Sequence, residues 1–175
     1  MPLWTIYHTP DSFVDNASKQ ALAKDITKIY LDIGLPAFYV IVNFLPTPAG
    51  TAWKGGEIPD RPFVRLVIDH VAVHIERSIE DYRAVTAAFE EALKPHVADK
   101  GYDWEYHTHE TERELWRVNG YVPPQWQSEA EKLWARENRP VPFKPEDGIK
   151  EFELLSPVKK AAEGAAAQAA AASKK

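Results

Sequence analysis

The order of apolar segments is the feature that most constrains how this 175-residue chain can fold. Strand-like runs alternate apolar residues or are apolar throughout, and helical segments repeat apolar residues every three to four positions. The order is strand, helix, strand, a long Pro- and Gly-rich loop, and then strand, helix, strand again: residues 3–8, 16–33, 38–44, 45–61, 63–71, 78–97 and 102–109. We expect each crossover to be right-handed and to make its two strands parallel.

The two units, βαβ 2–44 and βαβ 62–109, predict an α/β (α+β) domain with one four-stranded sheet and both helices on a single face. The opposite face would be open and apolar, which favours its burial in an oligomer. The strand at 38–44 is apolar almost throughout, which predicts burial on both faces. The second helix is expected to begin at a capping Ser78 and to turn four side chains inward: Tyr82, Val85, Phe89 and Leu93.

The pattern changes after residue 109. A C-terminal arm at 110–143 contains a turn at Asn119-Gly120 and a short helix that starts at Ser128, with Leu133 and Trp134 as its apolar anchors. We therefore expect one domain over residues 1–143. Residues 144–175 lose the pattern and end in a low-complexity Ala-rich stretch, which is expected to be a disordered tail because it has little to bury.

Composition excludes several classes of function. The chain has no cysteine, which excludes disulfides, thiolate catalysis and Cys-based metal sites. Its formal net charge of −5 argues against a nucleic-acid partner, because non-specific binding needs a basic surface. No apolar run is long enough to span a membrane and no signal peptide is evident. We therefore expect a cytoplasmic protein that has no membrane partner.

Pro2 is the residue with the most distinctive chemistry. A small residue after the initiator Met favours removal of Met1, which would leave a secondary amine at the start of the first strand. A free amino terminus has a pKa near ~8. Burial or a nearby cation lowers that pKa because both disfavour the charged form. Such an amine can act as a general base or acid near neutral pH, although Met-Pro alone is weak support for this role.

Several fragments, taken in order, resemble the tautomerase superfamily, in particular its cis-3-chloroacrylic acid dehalogenase-like group and the related oxalocrotonate tautomerase family. The resemblance covers about residues 2–143. The fragments are Pro2, Ala23-Lys24-Asp25-Ile26-Thr27, Val42-Asn43-Phe44, Pro48-Ala49-Gly50, Gly55-Gly56, Trp104-Glu105-Tyr106, Leu115-Trp116-Arg117-Val118-Asn119-Gly120 and Pro123-Pro124.

This resemblance implies a homotrimer, a small carboxylate substrate, no cofactor and an N-terminal proline as the proton-transfer group. It also implies catalytic Pro2 and Tyr106, and substrate-binding side chains at Arg77, His74, Arg117 and Tyr30. Arginine suits this task because its guanidinium binds carboxylates through two parallel hydrogen bonds. Relative to the dehalogenase group, this chain has an insertion in the stretch from His70 to Arg77. The resemblance therefore leaves open which residues of that stretch align with the carboxylate-binding arginines.

Two departures from the dehalogenase pattern bear on the reaction. Tyr30 stands where the dehalogenase has a histidine, and Arg117 stands where it has a water-activating glutamate. Both losses remove means of activating water. The comparison therefore disfavours a hydratase or dehalogenase reaction and favours a tautomerase, an isomerase that moves a proton in a small 2-oxo or enol acid.

Two alternatives stay open at this point. One is a non-catalytic trimeric binding or scaffold protein that kept the fold and lost the chemistry. The other is a metal-assisted hydrolase, since four histidines and two glutamates are spaced closely enough to suggest a cluster: His70, His74, His107, His109, Glu110 and Glu112. No recognised metal-binding spacing accompanies them, so the sequence predicts no metal site.

Overall fold

A computed structural model describes residues 2–71 and 78–149 of the chain. Within these residues the strands and α-helices follow the predicted order: β1 (Leu3–His8), α1 (Asn16–Asp32), β2 (Ile41–Pro46), β3 (Phe63–His70), α2 (Ile79–Leu93), β4 (Asp103–Glu110) and α3 (Glu129–Glu137). Short 3₁₀ turns also occur, at Ala37–Tyr39, Ala98–Lys100, Arg113–Leu115 and Pro145–Gly148.

The four strands form one mixed sheet with the order β2-β1-β3-β4. β1 is parallel to β2 and β3 is parallel to β4, while β1 and β3 run antiparallel at the centre. Each βαβ unit therefore supplies one half of the sheet. The predicted α+β fold, built from two consecutive βαβ units, is confirmed.

Both helices cover the same face of the sheet. Trp4 on β1 packs edge-on against Phe89 of α2, with ring centroids 5.0 Å apart, and its indole N–H donates to the Tyr30 hydroxyl of α1 at 2.9 Å. Alternate residues of the central strands are fully buried on this face, among them Ile6, Leu66 and Ile68. Ser78 caps α2 as predicted, its hydroxyl oxygen accepting the N–H of the third residue on.

The prediction for residues 38–44 is wrong in one respect. Phe38 and Tyr39 lie in a 3₁₀ turn that packs against the arm, with Phe38 5.9 Å from Trp134 between ring centroids. The strand itself begins at Ile41 and lies at the edge of the sheet, where Ile41 is 38% exposed. The apolar run is therefore shared between two structures, and the strand is not buried on both faces.

The expectation for α2 also needs correction. Phe89 and Leu93 are buried as predicted, and the helix ends at Leu93 rather than near residue 97. Val85 is half-buried, however, and Tyr82 is 44% exposed. α2 therefore closes on the sheet at its C-terminal half and leaves a groove at its N-terminal half.

The open face of the sheet is apolar only in part. Its β1–β2 half carries partly exposed Tyr7, Ile41 and Leu45. The β3–β4 half is charged, because Arg65 pairs with Glu105 there and a line of polar side chains follows: His107, Asp69 and His109. The expectation of a wholly apolar face is wrong, and burial of this face in an oligomer stays a prediction.

The arm packs against the first βαβ unit. Trp134 of α3 is fully buried, its indole N–H donates to the Val141 carbonyl at 2.7 Å, and its ring meets Tyr39. The described part of the arm continues to Ile149, where the Gly148 carbonyl accepts the N–H of Gln125 at 2.8 Å. The rest of the predicted tail lies outside the described residues. In the described parts of the chain, no helix is long and apolar enough to cross a membrane.

Candidate active site

Pro2 is buried immediately before β1, and its carbonyl accepts the N–H of Ile41 at 3.0 Å. Leu3 lies opposite Asp69 in the antiparallel pairing of β1 with β3. Extending that register by one residue brings Pro2 beside His70, the last residue of β3. In turn, His70 lies opposite Glu110 at the end of β4. Pro2 is therefore located where the start of β1 meets the ends of β3 and β4.

A chain of two buried hydrogen bonds lies under this meeting point. The Trp4 indole N–H donates to the Tyr30 hydroxyl at 2.9 Å, and the same hydroxyl lies 2.7 Å from Nε2 of His70. The three residues are nearly inaccessible to water, at 0%, 4% and 8% exposed respectively. They come from β1, α1 and β3, so the chain ties the first helix to both central strands.

The chemistry of the three groups fixes where the protons lie. An indole nitrogen can only donate, so the Tyr30 oxygen must accept from Trp4. The single hydrogen of the phenol then has His70 as its partner, and Nε2 must accept it. An uncharged imidazole that accepts at Nε2 carries its proton on Nδ1. The opposite tautomer would leave the buried phenol hydrogen without an acceptor, which costs about 1–3 kcal/mol.

The surroundings keep His70 uncharged. Burial lowers the pKa of His70 to about 4, and the positive amino terminus adds to that lowering, while Glu110 and Asp69 act in the opposite direction. Burial also raises the pKa of the Tyr30 phenol, against a smaller opposing effect of the Trp4 hydrogen bond. Both groups are therefore neutral near pH 7.

A groove of about 640 Å³ lies between α2 and β4. Its floor includes Phe89, whose ring contacts Trp4, His70 and Tyr106 at centroid distances of 5.0, 5.6 and 6.1 Å. One aromatic ring therefore separates the groove from the buried hydrogen-bonded chain. Half of the lining residues are apolar or aromatic and half are polar: Tyr82, Val85, Phe89 and Tyr106, and Thr86, His107, Thr108 and Glu110.

Tyr106, predicted to be catalytic, lines this groove from β4. Its hydroxyl donates to Glu90 at 3.5 Å, which is a long contact, and its ring stacks on Trp104 at 6.0 Å. Burial, followed by the charge of Glu90, raises the pKa of the Tyr106 phenol. The phenol is therefore protonated at neutral pH and can serve as a hydrogen-bond donor to a bound molecule.

The predicted substrate-binding residues occupy different settings. Tyr30 is in the core, where its hydroxyl bonds to Trp4 and His70. Arg117 is exposed in the arm, and its Nη1 donates to the carbonyls of Glu114 and Trp116 at 2.8 and 2.6 Å. His74 and Arg77 lie outside the described residues. Their predicted roles, and that of Arg117, stay predictions.

The three histidines of the suggested metal cluster that lie within the described residues are divided between the two faces of the sheet. His70 belongs to the helix-covered face, whereas His107 and His109 project from the opposite face. The latter two have ring centroids 4.5 Å apart and bond to Arg65 and Asp69. One ion therefore cannot bind all three. Among the described residues, no group of three or more potential ligands is placed to hold a metal ion.

Sequence reasoning treated His70 only as a metal-ligand candidate and missed its bond to Tyr30. A usable signal was present. His70 continues the alternation of Val64, Leu66 and Ile68, which places a polar ring at a core position. Tyr30 lies on the apolar stripe of α1 in the same way. Buried polar groups need hydrogen-bond partners, so two such groups in one core are candidates for a pair.

Comparisons with known proteins show the family of the chain and support its fold. The sequence matches the family described as "putative oxalocrotonate tautomerase enzyme" over residues 1–139. Native RhCC from Rhodococcus jostii RHA1 is 42% identical, with 81% of this chain and 99% of RhCC covered and a TM-score of 0.76. A probable enzyme from the thermophilic fungus Aspergillus fumigatus is 45% identical, with 82% and 98% covered and the same TM-score.

The chain therefore belongs to this oxalocrotonate tautomerase family, and the resemblance found in the sequence is confirmed. A third structure, Pt0534 inactivated by 2-oxo-3-pentynoate, is 18% identical. With a TM-score of 0.53 over 67% of this chain and 93% of Pt0534, it supports the fold alone. None of the curated proteins matches the chain.

Proposed function

We propose that the protein is a cofactor-independent tautomerase that moves a proton between oxygen and carbon in a small 2-oxo or enol carboxylic acid. The observation that carries the proposal is the position of Pro2, buried beside the end of β3, where His70 pairs with Glu110, a residue that lines the groove. Membership of the tautomerase family supports the same class of reaction.

The reaction balances with Pro2 alone as the proton carrier once Met1 has been removed. In the enol-to-keto direction, the neutral prolyl nitrogen takes the proton of the enol hydroxyl, and the C–O bond becomes a carbonyl. The resulting ammonium returns a proton to the neighbouring carbon, so the amine is regenerated and no redox change occurs. A buried amine suits this task because burial disfavours its charged form.

The groove is suited to the body of the substrate. Phe89 and Val85 offer apolar surface, and the Tyr106 phenol can donate a hydrogen bond to an oxygen of the substrate. The carboxylate would bind to the predicted set of Arg77, His74 and Arg117. Assembly as a homotrimer is a further prediction of the resemblance, which sedimentation equilibrium can test.

The test is ketonisation of phenylenolpyruvate and of 2-hydroxymuconate by the wild type and Pro2→Ala. Mass spectrometry first establishes that Met1 is absent from both proteins. We expect kcat/KM of the wild type to exceed that of Pro2→Ala by roughly 10²-fold or more, the contribution typical of a positioned general base. Pro2→Gly is the matched control: like Pro2→Ala it replaces the secondary amine with a free primary amine, so both variants should be slower than the wild type.

Equal rates in all three proteins, at the level of buffer alone, would contradict the proposal. That result would favour the alternative, a non-catalytic binding protein. A second measurement uses 2-oxo-3-pentynoate, whose conjugated triple bond reacts with neutral amines. A single adduct on the amino-terminal peptide, suppressed by acid, would show that the amine is uncharged and reachable at neutral pH.

A further inference from the structure

His70 offers a second functional group beside Pro2, and this inference rests on the proposed tautomerase function. We propose that the Nδ1–H of His70 donates a hydrogen bond to the substrate oxygen on which negative charge develops during proton transfer. Trp4 and Tyr30 hold the imidazole in the tautomer that makes this donor available.

His70 is close to Pro2 in the sheet. His70 ends β3 and lies beside Pro2 when the pairing of Leu3 with Asp69 is extended by one residue. The ring of Phe89 packs against it from α2, and that ring also forms the floor of the groove. The imidazole is therefore adjacent to the proposed base, and its strand partner Glu110 lines the proposed substrate cavity.

The buried hydrogen bonds determine which ring nitrogen of His70 carries the proton. The Trp4 indole must donate to Tyr30, so the phenol hydrogen is directed to Nε2 of His70, and the imidazole proton resides on Nδ1. Nε2 is thus occupied in the core, and Nδ1 is the ring nitrogen that can serve the substrate. A fixed donor of this kind stabilises a developing oxyanion without reorganising during the reaction.

The surroundings of His70 determine the charge of its imidazole. The groups that face His70 are Tyr30 from α1, Phe89 from α2, Glu110 from β4 and its own neighbour Asp69, and the positive charge of the amino terminus also lowers its pKa. Burial outweighs the two carboxylates, so the imidazole is uncharged at neutral pH. An uncharged donor polarises the substrate oxygen through its hydrogen bond and does not transfer its proton to it. Pro2 then remains the only group that must gain and lose a proton.

The test uses two amides that mimic different nitrogens of the ring. In His70→Gln, the terminal amide can reach the place of Nε2 and keep the contact with Tyr30, but the donor at Nδ1 is lost. In His70→Asn, the shorter amide can replace Nδ1 and loses the contact with Tyr30. We expect His70→Gln to lower kcat for phenylenolpyruvate on the order of 10²-fold with little change in KM, as for loss of one oxyanion donor.

His70→Asn should be less stable than His70→Gln, because it loses the contact with Tyr30. It should nevertheless retain more of the wild-type kcat. If His70 had a purely structural role, the order of the kcat values would be reversed. Wild-type kcat in His70→Gln would overturn the inference. Because His70→Asn could fail to fold, ¹⁵N NMR of the wild type provides a test without a substitution. The spectrum should show a protonated Nδ1 and an unprotonated Nε2 at pH 7, and the reverse pattern would also overturn the inference.

Failure of the proposed function can be told apart from failure of this inference. If the wild type is inactive, titration with phenylpyruvate still reports on His70, because a hydrogen bond to the bound acid shifts its ¹⁵Nδ1 resonance. Saturable movement of that resonance, absent in a control titration with benzoate, would support the donor role even without turnover. Binding that leaves the resonance unmoved would overturn it.

Discussion

The two βαβ units share one topology but close on the sheet to different extents. In the first unit, α1 buries Leu22, Ile26 and Tyr30 along its length. In the second, α2 buries Phe89 and Leu93 at one end and leaves Tyr82 44% exposed at the other. The groove thus arises from a helix that packs over half its length, and not from any difference in strand order.

The same contrast holds for one tyrosine in each unit. The Tyr30 hydroxyl is buried between two partners at 2.9 and 2.7 Å, whereas the hydroxyl of half-buried Tyr106 has a long contact with Glu90 at 3.5 Å. The duplicated architecture therefore contains one half in which buried hydrogen bonds hold the imidazole and another half that leaves an open groove.

The largest effect should come from the residue that connects the two halves. Phe89→Ala removes a ring that contacts Trp4, His70 and Tyr106, and we expect it to lower the free energy of unfolding by about 3–5 kcal/mol. Tyr82→Ala, at the exposed end of the same helix, should cost less than about 1 kcal/mol. Urea unfolding of both variants measures the difference. Similar losses would show that α2 packs evenly.

The paired tyrosines give the next prediction. Tyr30→Phe leaves the Trp4 N–H and His70 Nε2 buried without a partner, so it should lower the free energy of unfolding by about 2–3 kcal/mol. Tyr106→Phe should change it by no more than about 0.5 kcal/mol. The same urea series reports both values, and a neutral Tyr30→Phe would contradict the hydrogen-bonded chain.

Acid should weaken the protein through His70. Its pKa is lowered to about 4 in the folded protein from about 6.5 in the unfolded chain, so between these values the unfolded state binds the extra proton. Stability is then lost as the pH falls from about 6.5 to 4, by about 2 kcal/mol between pH 7 and 5. Unfolding at both pH values should show this loss in the wild type and not in His70→Gln. Equal pH dependence would indicate an unperturbed histidine.

The smallest effect concerns the start of α2. The Ser78 hydroxyl oxygen accepts the N–H of Asp81 at 3.0 Å, and Ser78→Ala should cost about 1 kcal/mol. Ser78→Asp, which keeps an acceptor at the cap, should restore most of that loss. Thermal unfolding followed by circular dichroism measures both. If Ser78→Ala unfolds at the same temperature as the wild type, the cap at this end of the helix adds little to stability. Such a result would match the loose packing of this end beside the groove.

Local patterns were enough to predict the succession of strands and helices along the chain and the position of Pro2 at the start of β1. Alternation in 63–70 and the apolar stripe of α1 are properties of single segments, and the βαβ order leaves few arrangements for them. The extent of β2 could not be predicted in this way. Phe38 and Tyr39 leave the strand because Trp134, almost 100 residues later, packs on them.

The candidate site required tertiary information for a similar reason. Tyr30 and His70 are 40 residues apart, and neither is unusual for its own segment. Only their burial in the same core makes the hydrogen bond necessary and assigns the tautomer. The groove likewise depends on how α2 approaches β4, which periodicity does not report, since it placed Tyr82 inward.

The most direct test of the central claim, proton transfer by Pro2, is ketonisation of phenylenolpyruvate in D₂O. Deuterium enters at C3, and rapid reduction of the product to phenyllactate preserves the configuration for NMR analysis. A positioned prolyl ammonium should deliver deuterium to one face, giving an excess of one stereoisomer that Pro2→Ala loses. Equal amounts of the two stereoisomers from the wild type, as in buffer alone, would contradict the account.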